Sequence, residues 1–201
     1  MSKFPSLPAD PEMVVVLAAH PEGIGALFAY HDAILRGPSP LSIAERELIA
    51  AYVSGLNQCS FCFGIHRAFA ELHGIEPRKF DNLIADPAAA GIGEKLLPLL
   101  AYAKKLTLEP ANVTDGDAAA VYAAGWDEKA LFHTVSATAL FNMMTRLVAG
   151  TGIIANPKAQ QSVRDRIARD IRNPSPYADF ASRIKTAGER AIFGDAMVEG
   201  E

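Results

Sequence analysis

The sequence has little of what marks a specialised chain. Only two cysteines occur in 201 residues, which excludes a disulfide scaffold. Glycine and proline, 15 and 13 residues, are too few for a collagen-like or low-complexity chain, and a hydrophobic fraction of 50% excludes disorder. The longest strictly apolar run, Met13 to Ala19, is too short by more than half to span a bilayer. No basic stretch precedes that run, and Pro5 and Pro8 interrupt any signal-peptide pattern, so a cytoplasmic protein without membrane association is expected. A formal net charge of −4 argues against bulk binding of nucleic acid. Strict apolar/polar alternation is missing, so no strand is predicted. What is present is a chain long enough for one domain of roughly 150 residues, with a core that closes without disulfides.

The periodicity is helical almost throughout, giving an all-α class. Helices are predicted over Asp10–Ala19 and about Glu22–Leu35, with a loop at Gly37-Pro38-Ser39-Pro40. Ser42-Ile43-Ala44-Glu45 is a capping box that opens a helix to about Ser54, with Gly55 as its stop. A helix from Cys59 or Ser60 ends at Gly74, and a short one spans Pro77–Ile84. Glu94–Leu106 follows, with Pro98 tolerated in the first turn. Thr114 caps a helix to Ala124 and Asp127 caps the longest, to about Ala149. Lys158–Ile171 and Asp179–Arg190 complete the series, and the acidic end beyond is expected to fray. Residues 157–190 carry eight Lys/Arg against four Asp/Glu, read as a solvated face with i,i+4 pairs such as Asp165 with Arg169.

The two cysteines are Cys59 and Cys62. In a reducing compartment their three-residue spacing points to redox or metal chemistry rather than a structural staple. Cys62 and His66 lie four apart on one helix and share a face. Cys59 lies at the helix start, where free N–H groups and the dipole stabilise a thiolate. A thiol lowered from about 8.5 to about 6.5 goes from roughly 3% to about three quarters ionised at pH 7. Glu47 lies on a face with Ile43, Ala50, Ala51 and Ser54. A carboxylate in such company needs a hydrogen-bond partner, and His66 becomes one if the two helices form a hairpin over Asn57-Gln58. The competing reading is an exposed Glu47 paired with Arg46.

Glu47, eleven residues, Cys59-Ser60-Phe61-Cys62, three residues and His66 resemble the E-x11-C-x2-C-x3-H signature of the alkylhydroperoxidase D-like proteins, within the carboxymuconolactone decarboxylase-like superfamily. The helix order over residues 20–150 and the Phe141-Asn142 to Arg146 segment look like the peroxidase-related branch. The resemblance implies an alkylhydroperoxidase D-like helical domain over residues 1–150, with the C-x-x-C at the start of a core helix. Residues 151–201 then form a helical extension of unassigned role. It further implies trimers or hexamers and a thiol-dependent peroxidase without cofactor or metal. Carried over, Cys62 attacks the peroxide, Cys59 resolves the sulfenic acid, His66 is the base and Glu47 the relay carboxylate. A lipoylated or thioredoxin-like dithiol is the implied reductant. Position 61 is Phe where some alkylhydroperoxidase D proteins carry a histidine before the second cysteine.

Rival readings are a non-enzymatic oligomeric or thiol–disulfide exchange module, and a decarboxylase or lactone-processing member of the same superfamily. Zinc on the cysteines and His66 lacks a fourth ligand, because a helix carries His73 about 10 Å beyond His66. Haem attachment fails because position 63 is Phe. Thr134, Thr138, Asn142 and Arg146 recur every four residues, a stripe suited to inter-helix hydrogen bonds, a cavity wall or a subunit interface. His20, His31, His73 and His133 read as core or surface residues, and Trp126 as a packing anchor.

Overall fold

A computed structural model of the chain describes residues 3–193, so the acidic end expected to fray lies outside the described residues. The described residues hold helices and turns and no strand. The first two helices are α1 (Met13–Ala19) and α2 (Ile24–Leu35). Helix α3 (Ile43–Leu56) begins with the expected capping box: the Ser42 N–H donates to Glu45 Oε2 at 2.7 Å, and the Glu45 N–H donates to Ser42 Oγ at 3.2 Å. Its middle, Arg46 through Ser54, is buried on every side. Such all-round burial suits the run Leu48-Ile49-Ala50-Ala51-Tyr52-Val53 and makes α3 the axis of the core.

Helix α3 runs one residue past the predicted stop at Gly55. That glycine is used for packing instead, since a Cβ there would overlap the Ile84 side chain. The chain reverses over Asn57, Gln58 and Cys59. Gln58, at φ +57, is the one described non-glycine residue in the left-handed region. Helix α4 (Ser60–Leu72) then packs back along α3. Gly74, at φ +107, ends it as expected.

The predicted helix over Pro77–Ile84 is a 3-10 turn over Pro77–Asp81, anchored by buried Phe80. So short a segment forms too few i→i−4 bonds to hold an α-helix. Helix α5 (Leu97–Leu108) carries Pro98 in its first turn, and α6 (Asp115–Ala123) follows Thr114. Helix α7 (Glu128–Thr151) closes at Gly152, at φ +81. The last two helices are α8 (Pro157–Arg169) and α9 (Pro176–Phe193). Among the described residues no helix is long and apolar enough to cross a membrane.

The expected Asp165–Arg169 pair does not form. Asp165 accepts from Gln161 Nε2 at 2.7 Å, while Arg164 reaches across to Glu71 and ties α8 to α4. Helix α9 lies against α1 and α2. Its first turn is capped from outside: Asp32, on α2, accepts the backbone N–H of Tyr177 at 3.2 Å and of Ala178 at 2.8 Å. Ile167, Tyr177 and Ile184 are buried in the same apolar core as α3, so residues after 150 contribute to it directly.

Candidate active site

The α3–α4 hairpin brings Glu47 and His66 together. His66 Nδ1 and Glu47 Oε2 are 2.6 Å apart, both side chains buried. Glu47 has no exposed surface and is held by two further groups. Arg36 Nη1, just past the end of α2, lies 2.6 Å from Oε1, and the Tyr177 hydroxyl of α9 donates to the same oxygen at 3.0 Å. Arg46 is not its partner, because that guanidinium donates to the carbonyls of Ile34 and Gly37.

These contacts set the charge of the site. Burial pushes the Glu47 carboxyl up, but the Arg36 guanidinium and the His66 ring outweigh it and hold the group at about 2. Glu47 is therefore an anion that only accepts hydrogen bonds, so His66 Nδ1 donates to it and Nε2 is left for proton exchange. The Tyr177 phenol is raised well above its ordinary value, by burial first and then by Glu47, and stays a neutral donor. The Arg36 side chain is only 3% exposed. It lies 4.9 Å from the Phe69 ring centroid and 5.3 Å from that of Tyr177, and its buried Nη2 has no hydrogen-bond partner. Two aromatic faces thus take up part of a cation that hydrogen bonds leave unsatisfied.

The sulfur pair occupies the start of α4. Cys59 is its N-cap, and its Sγ accepts the backbone N–H of Cys62 at 3.5 Å. Both cysteines are free thiols, Cys59 half-buried and Cys62 buried. A hydrogen bond from the Cys62 thiol lowers the Cys59 thiol to about 7 against the opposing effect of burial, with help from the N–H groups of Cys62 and Phe61. The same hydrogen bond, together with burial, pushes Cys62 up. Negative charge on the pair is therefore centred on Cys59.

Cys62 and His66 line one mostly apolar cavity of about 100 Å³ between α2, α4, α7, α8 and α9. Phe141, whose ring meets His66 edge-on at 4.2 Å, and Tyr177 complete its centre. His31 also lines it; burial lowers this ring to about 4, and its Nδ1 bonds the Leu27 carbonyl at 2.8 Å. Among the described residues no three His, Cys, Asp or Glu side chains gather as a metal site.

Sequence reasoning missed Arg36, Tyr177 and the cavity position of His31. A buried glutamate implies a cation as well as an imidazole, which was the available signal for Arg36. Tyr177 had none, since it lies 130 residues from Glu47. The threonine stripe splits in two. Thr134 and Thr138 bond carbonyls of their own helix, Ala130 at 2.9 Å and Thr134 at 2.7 Å. Asn142 reaches Thr107 of α5 and accepts from Asn57 in the hairpin turn, both at 3.1 Å. Arg146 braces the Asn142 carbonyl at 2.6 Å, and none of the four lines the thiol cavity.

Comparison with known proteins returns the same frame. Residues 21–105 match the carboxymuconolactone decarboxylase family. The structure resembles an uncharacterized peroxidase-related protein from Silicibacter sp. TM1040, with TM-score 0.67, 25% identity, and coverage of 73% of this chain and 77% of that one. It also resembles an uncharacterized peroxidase-related protein from Ralstonia eutropha JMP134, described as an alkylhydroperoxidase AhpD core. There the TM-score is 0.68 and the identity 27%, with coverage of 75% of this chain and 79% of that one. No functionally curated protein matches the sequence.

Proposed function

We propose that this alkylhydroperoxidase D-like protein of the carboxymuconolactone decarboxylase-like superfamily is a thiol-dependent peroxidase that reduces hydroperoxides through Cys59 and Cys62. The observation that carries the reading is the shared cavity. Cys62 and His66 line the same apolar space, and the ring that would take the thiol proton is held at its far nitrogen by ionised Glu47. In this mechanism Cys62 gives its proton to His66 Nε2, and Glu47 stabilises the resulting imidazolium. The Cys62 sulfur bonds the distal peroxide oxygen as the O–O bond breaks. The alkoxide takes the proton from His66 and leaves as the alcohol. Cys62, oxidised by two electrons, is then a sulfenic acid. Cys59, the acidified thiol, attacks that sulfur, hydroxide leaves and is protonated to water, and a disulfide remains. An external dithiol restores both thiols by exchange. By the resemblance this is a lipoylated or thioredoxin-like protein, and the working form is a homo-oligomer. Arg36 and Tyr177 act as positioning residues that keep Glu47 ionised and oriented.

The half-exposed, acidified Cys59 favours a second reading, thiol–disulfide exchange with Cys59 as the attacking group. One set of measurements separates the two. Reduced protein is treated with hydroperoxide and its free thiols are counted in wild type, Cys59→Ser and Cys62→Ser. A peroxidase loses both thiols, recovers them with dihydrolipoamide, accumulates a dimedone-reactive sulfenic acid in Cys59→Ser, and is inert in Cys62→Ser. Thiols that survive excess peroxide but react rapidly with a small disulfide would establish exchange instead.

A further inference from the structure

The cavity beside the dithiol has one cationic wall residue that the chemistry above does not use. Arg166, on α8, lines that cavity and also two neighbouring ones of about 370 and 530 Å³. It is half-buried, and it makes no ion pair or hydrogen bond with any described residue. Two nearby arginines behave differently: Arg67 on α4 and Arg164 on α8 both pair with Glu71. Burial and two cations, Arg183 and Arg169, weigh on the Arg166 guanidinium, with no carboxylate among the described residues opposing them. Asp170 and Asp179 stand on the wall of the 370 Å³ cavity, but neither pairs with Arg166, and Asp179 accepts from Asn173 Nδ2 at 2.6 Å. Asp10 and Glu12 stand on the wall of the 530 Å³ cavity. Arg36, with its unsatisfied Nη2, and Arg183 border the same 370 Å³ space.

A partly desolvated guanidinium among like charges is an electrostatic cost that a bound anion removes, and its planar fork suits a carboxylate. On its other side Arg166 faces apolar walls that take hydrocarbon. A ligand satisfying both has an anionic end and an apolar body. We infer that the substrate of the dithiol is a hydroperoxide carrying a carboxylate, its body in the cavity beside Cys62 and His66 and its carboxylate on Arg166. This rests on the peroxidase reading and adds the substrate class to it. The carboxylate takes no part in the electron transfer: the O–O bond breaks, Cys62 becomes the sulfenic acid, and a hydroxy acid leaves with the proton from His66.

The test compares a carboxylated cumene hydroperoxide with its methyl ester on fully reduced, full-length protein, following thiol loss over time. The acid is expected to react about tenfold faster or more, the worth of one charge-assisted contact. That ratio falls towards one in Arg166→Gln and with added salt, and is partly kept in Arg166→Lys. Titration calorimetry with the hydroxy acid product supplies a second readout, with binding to wild type lost in Arg166→Gln. If acid and ester oxidise the thiols equally fast, or the ratio survives Arg166→Gln, the carboxylate site is wrong and the peroxidase stands. If neither compound oxidises the thiols, the peroxidase reading falls and this inference with it.

Discussion

Replacing Glu47 by glutamine keeps the side-chain shape and removes the charge on which the buried network depends. Glu47 is held at about 2, against 4.5 for an ordinary glutamate, because Arg36 and His66 outweigh the burial that pushes it up. A carboxyl lowered on folding contributes stability that is fully present above its unfolded value and lost as pH falls through its folded one. The window here runs from about pH 4.5 down to about 2. At about 1.4 kcal/mol per pH unit the contribution is on the order of 3 kcal/mol. An independent route gives a similar size. Glutamine leaves the Arg36 cation buried without its counterion, and breaking a buried pair from one side costs about 3–5 kcal/mol. Urea unfolding at pH 7 should therefore show Glu47→Gln less stable by that amount, with a melting temperature lower by about 10 °C. Repeated at falling pH, the difference from wild type should shrink between about 4.5 and 2. Asp117, held at about 2 by Lys105 and Thr114, titrates in both proteins and drops out of the difference. The double variant Arg36→Met with Glu47→Gln should recover part of the loss, since it leaves no uncompensated charge. A Glu47→Gln protein within about 0.5 kcal/mol of wild type at pH 7, or a difference that ignores pH, would refute the reasoning.

Other consequences can be checked separately. Iodoacetamide should alkylate one thiol per chain with a midpoint near pH 7, and Cys59→Ser should abolish that phase; equal reactivity of both thiols at pH 7 contradicts the polarity of the pair. Tyr177→Phe removes one hydrogen bond to a buried anion and keeps the ring, so urea unfolding should show a loss of about 1–3 kcal/mol, and no loss would mean Glu47 does not need it. Gln58→Gly relieves a left-handed residue at φ +57 and should raise stability by up to about 1 kcal/mol, whereas a drop would show that the Gln58 side chain matters more than its backbone.

The four motif residues were legible because two adjacent helices carry them. Helical period places Cys62 under His66, and a two-residue hairpin signal turns Glu47 towards His66. Helix caps at Ser42, Thr114 and Asp127 were legible for the same local reason, as each sets its boundary within one turn. Arg36 and Tyr177 were not. Their contacts with Glu47 close loops of 11 and 130 residues, and no periodicity within either segment encodes the other end. Gly55 shows the opposite failure, a residue type that signals a stop but is required here by the approach of Ile84. Asp165 paired locally on paper and chose a neutral amide instead, while Arg164 took the distant Glu71.

The carboxylate of Asp32 holds the first turn of α9 from a different helix. Tyr177 is therefore placed by α2 and not by the length of chain that leads to it. The connections on either side of α8 are free to gain or lose residues without moving the phenol off Glu47, because the anchor is non-covalent and fixed to α2. Insertions near Ala155 or Asn173 should then be tolerated, while a single change at Asp32 would unseat a residue 145 positions away.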